Sequence, residues 1–588
     1  MPIGKGFPPR KKERAESNPA NARVKHSGTY IECAALKEQV GVVVEQTRGM
    51  TLYTIDMLRH EGIFHDAFTF QAFFKLTKWP RLIILIGPAK LDARQASRIK
   101  DHVKAGNGLI VVGMIEALED VLGIMYKIPV FSFPVGGIRD NSIGEGYLQL
   151  KDESFAKQYP STWFPLHGFG CAPVLVDGAS VIADYETVHE SGERWAAITS
   201  IEVASGVAIQ IGIELAKTIR HVQEGRYVDK DGIPPPDGMA PIDDGILKCE
   251  DGLVLDWTRD RRAVSPSSHV PAFTIPVADA WRKLFVACIE QIADKCKIPL
   301  KRCWYWPTGA EFVTLLSHDS DGNSEEMASH LLAEIGKAGI KTTWCLEAPG
   351  YSPGTCAKIL QAGHELALHF DAIAYPGGKQ HDEIGMAALF SREMLERQLN
   401  GVIDHSGYHD IYSNKNHYTR WSGRVQFFEW CEQLGIRVDQ SKGPSKCGTF
   451  GFPFGTCHPW QAMNGAGELI GCLEIGFQSQ DFGLQGPPDT IDDLLVAVKQ
   501  ANGVAHVIFH PAHSKRPDVN KAMHEFINKA RQMGAIFLTS KEIGEWTFER
   551  KHMVAAGLVT LKDAVIQVRE RSTWLNLPGP SPLLGSEQ

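Results

Sequence analysis

The stretch "EFVTLLSHDSDG", Glu311 to Gly322, decides how the second half of this chain is read. Five apolar or β-branched residues run straight into a histidine and two aspartates. An apolar run of this length followed by a Gly-containing polar turn is the pattern of a buried strand, and the helical pattern "SEEMASHLLAEIGKAG" follows directly. Alternate residues of a strand share a face, so Asp319 and Asp321 point to the same side, and two close carboxylates are unfavourable unless a cation or a shared proton separates them. The bland alternative is a turn and helix cap before Glu325.

Outward from this segment the strand and helix units continue to "GAIFLTS". The strands are "KTTWCLEA", "HELALHFDA", "RVDQS", "CLEIGFQS" and "AHVIFHPAH", and helices such as "REMLERQLNGV" and "TIDDLLVAVKQANG" carry apolar residues at i, i+3 and i+4. The pattern predicts a distorted (β/α) barrel of about seven strands, whose site gathers at the C-terminal strand ends. His318, Asp319 and Asp321 end one strand, and His369 and Asp371 another. His417, Arg420 and Trp421 stand in "NHYTRWSG", Asp439 in "RVDQ", and His510 and His513 in "FHPAHS".

The first half reads differently. "QVGVVVEQ", "RLIILIG" and "GLIVVG" are short β-branched runs, the last two joined by the helical pattern "DARQASRIKDHVKAG", which is the rhythm of a flavodoxin-like open parallel sheet. "PRLIILIGPAKLDARQASRIKDHVKAGNGLIVVG" resembles class I glutamine-amidotransferase-like domains, but Gly113, Met114 and Ile115 stand where a cysteine nucleophile would. The domain is therefore read as non-catalytic, a scaffold or a sugar-binding module, and "GVAIQIGIEL" as a return to its sheet. The organisation expected is a basic disordered tail over 1–30, this α/β domain over 31–220, a Pro/Gly/Asp-rich connection over 221–275, the barrel over 276–550 and an extension over 551–588.

Of 588 residues, 43% are apolar and 22% charged, with a formal net charge of -8, so no basic field exists for nucleic acid. The N-terminus lacks the apolar core of a secretory signal and no segment has about 18 uninterrupted apolar residues, which reads as a cytoplasmic chain without membrane contact. The 12 cysteines show no CxxC pair and read as reduced thiols. The oligomeric state is not encoded in any motif.

The strand-end motifs together resemble the NodB-homology polysaccharide deacetylases of carbohydrate esterase family 4, in a variant with a His-Asp-x-Asp first motif. The carriers are Asp319 and Asp321 in "SHDSDG", His369 in "GHELALH", "HYTR" at His417 to Arg420, "GFPFGTCHPW" from Gly451 to Trp460, and His510 or His513, within residues 311 to 515. The usual second motif is His-x-x-x-His, and here Ile373 stands four residues after His369. His417 or Asp371 can replace the missing ligand, with His381, His405 and His409 as further candidates. The resemblance implies a divalent ion, Zn²⁺ first, on Asp321, His369 and His417. It implies Asp319 as base and a late histidine as acid, His510 before His513, with Arg420 or Asp439 orienting them, in hydrolysis of an N-acetyl or O-acetyl group from a carbohydrate. His318 supports from the opposite strand face, Asp371, Trp421 and Trp460 line the substrate, and His364 is structural. Two other readings stay open: a glycoside hydrolase using two carboxylates, and a carbohydrate-binding protein with a degenerate site.

Overall fold

The β-branched and leucine-rich runs of the first half pair side by side in the order Asp66–Thr69, Val40–Val44, Leu82–Ile86, Gly108–Val112 and Gly206–Ile211, all parallel. The last of these is the return predicted for "GVAIQIGIEL". The sheet does not stop there. It continues through Arg194–Val203, Ser180–Thr187, Glu145–Leu150 and Trp163–His167 in antiparallel pairing, making a nine-stranded mixed sheet in place of an open parallel one. Arg194–Val203 is joined to Gly206–Ile211 and to Ser180–Thr187 by short connections, which allow only antiparallel pairing because a parallel neighbour needs a crossover of a dozen residues or more. This computed structural model describes residues 37–87, 89–127, 145–157, 163–167, 172–176, 178–187, 194–231, 246–264, 270–373, 389–445, 448–570 and 572–577. The tail over 1–30 lies outside them.

Helix Ala93–Lys104 starts on a capping box between Asp92 and Gln95 and buries Ala96, Ile99 and Val103 on one face of this sheet. Helix Val277–Cys296 covers the other face. Assigned by sequence to the barrel segment 276–550, it instead packs Trp281, Leu284, Phe285, Ile289 and Ile292 into one core with Val42, Ile84 and Ile110. Its apolar residues recur at i, i+3 and i+4, a pattern that states that a face is buried but not which sheet buries it.

In the second half the path is Trp460–Met463, Leu469–Glu474, Val438–Asp439, Ser413–Asn416, Glu365–Phe370, Thr343–Glu347, Val313–Asp319, Val504–Ile508 and Ser479–Gln480, with Ile536–Phe537 beside Val313–Asp319, a ten-stranded sheet. Pairing is parallel except at Trp460–Met463. The path curls but stays open between its two end strands, so it is a half-barrel and not a closed ring of about seven. Helix Glu325–Ala338 is capped by Ser324, ends at Gly339 with φ 62°, and buries Ala328, Leu331 and Ile335 against the outside of the sheet. The described cysteines are buried free thiols, and no described helix is long and apolar enough to cross a membrane.

The halves are joined by buried charge. Arg282 donates to Glu61 at 3.0 Å and to Asp279 at 2.6 Å, Tyr305 donates to Glu61, and Asp279 accepts from Thr456 at 2.6 Å and from the Cys457 amide at 2.8 Å. Lys551 bridges Asp56 and Gln461 at 2.8 and 2.7 Å. Replacing one partner of such a set leaves the other charges buried without compensation. Arg282→Met is expected to lower the unfolding free energy by about 3 to 5 kcal/mol in urea titrations, because Glu61 and Asp279 lose their counter-ion.

Candidate active site

The parallel register brings the strand ends to one rim. Asp319 closes Val313–Asp319, and the next strands align Glu347 with His369 and His369 with Lys415. Beyond Asp319 the chain makes a single turn, with Gly322 at φ 71° and Asn323 at φ 52°, which keeps Asp321 over the same rim. Glu347 accepts from the Gly322 amide at 2.7 Å and fixes that turn.

Asp321, His369 and His417 converge, their ligand atoms lying within 4.8 Å of one another. His369 Nε2 stands 3.3 Å and His417 Nε2 3.7 Å from Asp321 Oδ1. These gaps are close to the edge of a tetrahedron with bonds of ~2.05 Å, about 3.3 Å. His369 donates its Nδ1 proton to the Lys415 carbonyl at 3.0 Å, and His417 Nδ1 faces Asp371 Oδ1 at 3.3 Å, so in both rings Nε2 is left free to ligate. His369 Nε2 and Asp321 Oδ1 are buried without a hydrogen-bond partner, the condition a divalent ion would relieve. Burial works against a charged His369, but Asp319 and Asp321 outweigh it and raise its pKa. The donor set of two imidazoles and one carboxylate fits Zn²⁺ or a similar ion with positions left for water.

Beside this cluster lies Asp319. Its Oδ1 is 3.3 Å from Lys415 Nζ, an ammonium that also donates to Ser317 Oγ. Ser317 in turn meets His506 Nε2 at 2.8 Å, and His506 Nδ1 donates to the Ile475 carbonyl at 3.0 Å. Burial opposes ionisation of Asp319, yet Lys415, with His369 and His510, holds its pKa well below the usual carboxylate range. His510 turns Nε2 toward both carboxylates, 4.0 Å from Asp319 Oδ2 and 3.8 Å from Asp321 Oδ2. Its Nδ1 donates to Asp481 Oδ2 at 2.6 Å and its amide to Asp481 Oδ1 at 2.9 Å. Burial disfavours the imidazolium, but Asp481 prevails, followed by Asp319 and Asp321, and the pKa rises to about 9. His513 shares the same Asp481 oxygen at 2.8 Å. Asp481, His510 and His513 are thus also close enough to hold an ion, but their facing atoms are already joined by hydrogen bonds.

Lys415 and Asp481 were not singled out from sequence. "SNKN" reads as a polar turn, and Asp481 follows a strand of only two residues. Other candidates lie elsewhere. Arg420 is buried away from the cluster, its guanidinium donating to the Leu247 and Trp421 carbonyls and lying 4.8 Å from the Phe390 ring centroid, with no contact to Asp319 or His510. Asp439 is fully buried beneath the rim, accepting from Asn414 at 2.9 Å and Ser441 at 2.7 Å, with its pKa raised by burial. Trp421 and Trp460 are 1% and 5% exposed in a core with Phe427 and Phe428, closed to any sugar. Asp371 meets His417 rather than an open pocket. His318 donates to the Phe509 carbonyl at 2.8 Å, with its pKa pushed down to about 3 by burial, and is a core residue. His364 accepts from the Thr342 amide at 3.1 Å at the strand start. His405 and His409 face solvent, and His381 lies outside the described residues.

No family model and no curated protein matches the chain. Among solved structures, the carbohydrate deacetylase Agd3 aligns over 91% of this chain and 91% of its own, at 10% identity and a TM-score of 0.36. A structure assigned as a polysaccharide deacetylase from Mycobacterium smegmatis aligns over 44% of this chain and 96% of its own, at 18% identity and a TM-score of 0.31. A GH42 β-galactosidase from G. stearothermophilus aligns over 30% of this chain and 27% of its own, at 13% identity and a TM-score of 0.23. At these values the likenesses give no role to any residue.

If the three-residue cluster holds the ion, His369→Ala and Asp321→Asn leave the purified protein without stoichiometric metal by elemental analysis, while Asp319→Asn retains it. Asp371→Asn is expected to weaken metal binding about 10 to 100-fold in chelator competition, the usual effect of losing the group that orients a ligand histidine.

Proposed function

We propose that the chain is a metal-dependent hydrolase that removes an acetyl group from an N-acetylated or O-acetylated sugar or polysaccharide. One observation carries the reading: a cluster fit for a divalent ion is flanked by Asp319, which Lys415 faces at 3.3 Å, and by His510, whose Nδ1 is held by Asp481. A carboxylate and an imidazole fixed beside one centre would supply the base and the acid that amide hydrolysis needs.

A divalent ion bound by Asp321, His369 and His417 would polarise the acetyl carbonyl and acidify water. Asp319 takes the proton of the attacking water. Lys415 keeps that carboxylate ionised and pointed, and Ser317 and His506 hold Lys415 in turn. As the bond from the carbonyl carbon to nitrogen breaks, His510 passes its Nε2 proton to the departing amine, giving acetate and a free amino sugar. Asp481 holds the ring by Nδ1, so Nε2 is the position that gives up the proton.

A glycoside hydrolase would need one of its two carboxyls protonated as the acid. Both Asp319 and Asp321 have lowered pKa values despite their burial, which favours the deacetylase. A binding protein with a degenerate site gives no reason for Asp321, His369 and His417 to converge at ligand spacing. The first-half sheet we read as non-catalytic, since Gly113, Met114 and Ile115 carry the turn after Gly108–Val112.

Acetate release from a panel of N-acetylated and O-acetylated sugars by the metal-loaded protein tests the reading, and no release from any member would overturn it. Asp319→Asn is expected to lose about 10² to 10⁴ in kcat, the range of a general base, with metal content intact. Because His510 must be protonated to act, activity falls as pH rises through its pKa. Asp481→Asn removes the main cause of the raised value, so its alkaline limb moves to lower pH in kcat profiles. An unmoved limb would show that His510 is not the acid.

A further inference from the structure

Helix Arg392–Ser406 buries Leu395, Leu399 and Val402 and packs beside strand Glu365–Phe370. Gln398 stands three residues after Leu395 and four before Val402, on the same helix face, so the apolar stripe carries one side-chain amide that needs partners. It finds them on a single residue. Gln398 Oε1 accepts from the Asp371 amide at 2.9 Å, and Gln398 Nε2 donates to the Asp371 carbonyl at 2.5 Å.

Holding both backbone groups of one residue is what a neighbouring strand does in a sheet. Asp371 lies just past the reach of its neighbours, because the register with Thr343–Glu347 ends at His369 and that with Ser413–Asn416 ends at Phe370. Gln398 therefore takes the place of a strand at the point where the sheet stops. The carboxylate is held as well. Asp371 Oδ1 accepts from the Ile373 amide at 2.9 Å in an Asx turn, while Ile373 buries its side chain with Ile246. The same Oδ1 faces His417 Nδ1 at 3.3 Å.

At 20% exposure the Asp371 side chain has water to turn to, so its aim depends on the backbone that carries it. A carboxylate on Nδ1 of a ligand imidazole sets the direction of the ring and strengthens Nε2 as a donor. We infer that Gln398 is a positioning residue for the metal centre: by clamping the Asp371 backbone it keeps the carboxylate on His417 Nδ1 and His417 Nε2 on the ion. The tightness of metal binding is then set in part from helix Arg392–Ser406, by a side chain that touches none of Asp321, His369 and His417. This rests on the metal-dependent reading above.

The test is a double-mutant cycle on the full chain, read as Zn²⁺ affinity by chelator competition: wild type, Gln398→Ala, Asp371→Ala and the double variant. Gln398→Ala should weaken Zn²⁺ binding about tenfold, the low end for a group behind a ligand histidine. In the Asp371→Ala background, where no carboxylate is left to aim, the same change should cost less than about twofold. Gln398→Met, which keeps the volume and loses both hydrogen bonds, should behave as Gln398→Ala does and serves if that variant fails to fold. A residue that only props the helix would lower the urea midpoint and leave the affinity of the folded protein unchanged. Unchanged affinity in the Gln398 variants, or equal weakening in both backgrounds, would overturn the inference while wild-type Zn²⁺ binding leaves the metal site standing. Wild type without Zn²⁺ binding would instead remove the metal-dependent reading, and this inference with it.

Discussion

Two carboxylates two residues apart at the end of a buried strand cannot both stay ionised without positive charge brought to them, and most of the rim is organised by that need. Asp319 is met by Lys415, and Asp321 by His369 and His417, with His510 facing both. Each cationic or ligating group has its own anchor: Ser317 and His506 behind Lys415, the Lys415 carbonyl behind His369, Asp371 behind His417, and Asp481 behind His510. Remove Asp319 and Asp321 and a buried lysine and several fixed imidazoles lose their purpose.

The same need explains why the site is assembled from many segments. A parallel sheet sets every strand end on one rim, so a charge at one end is answered by a side chain from the neighbouring strand at short range. The connecting segment takes part as well. Through Leu247, Lys248 and Glu250 it holds the loop that carries His417, and the Arg282 set fastens the two halves to one another. The first-half sheet and the half-barrel are joined by structure, not by a free linker.

Much of this was legible before the structure. The apolar strands located Asp319, His369 and His510, because a strand end is a local property of sequence, and the "HYTR" motif singled out His417; Asp321 lies beyond the strand, and the turn at Gly322 and Asn323, not alternation, brings it to the rim. What was not legible is what depends on distant partners. Lys415 looks like a polar turn residue until Ser317 and Asp319 enclose it. Arg420 and Trp421 closely follow His417 in sequence, but the left-handed pair Tyr418 and Thr419 reverses the chain and turns them inward. Helix Val277–Cys296 shows its apolar pattern plainly, yet the sheet it covers is fixed only by the fold. The half-barrel's open edge, likewise, depends on pairings that no strand announces alone.

The central claim is that a divalent ion sits on Asp321, His369 and His417, with Asp319 and His510 beside it. An anomalous difference map from crystals grown with Zn²⁺ tests it most directly. The account predicts one peak about 2.0 to 2.2 Å from Asp321 Oδ1, His369 Nε2 and His417 Nε2. A peak on Asp481, His510 and His513 with none on that trio would contradict it, since the residues read here as acid and orienting carboxylate would then be ligands.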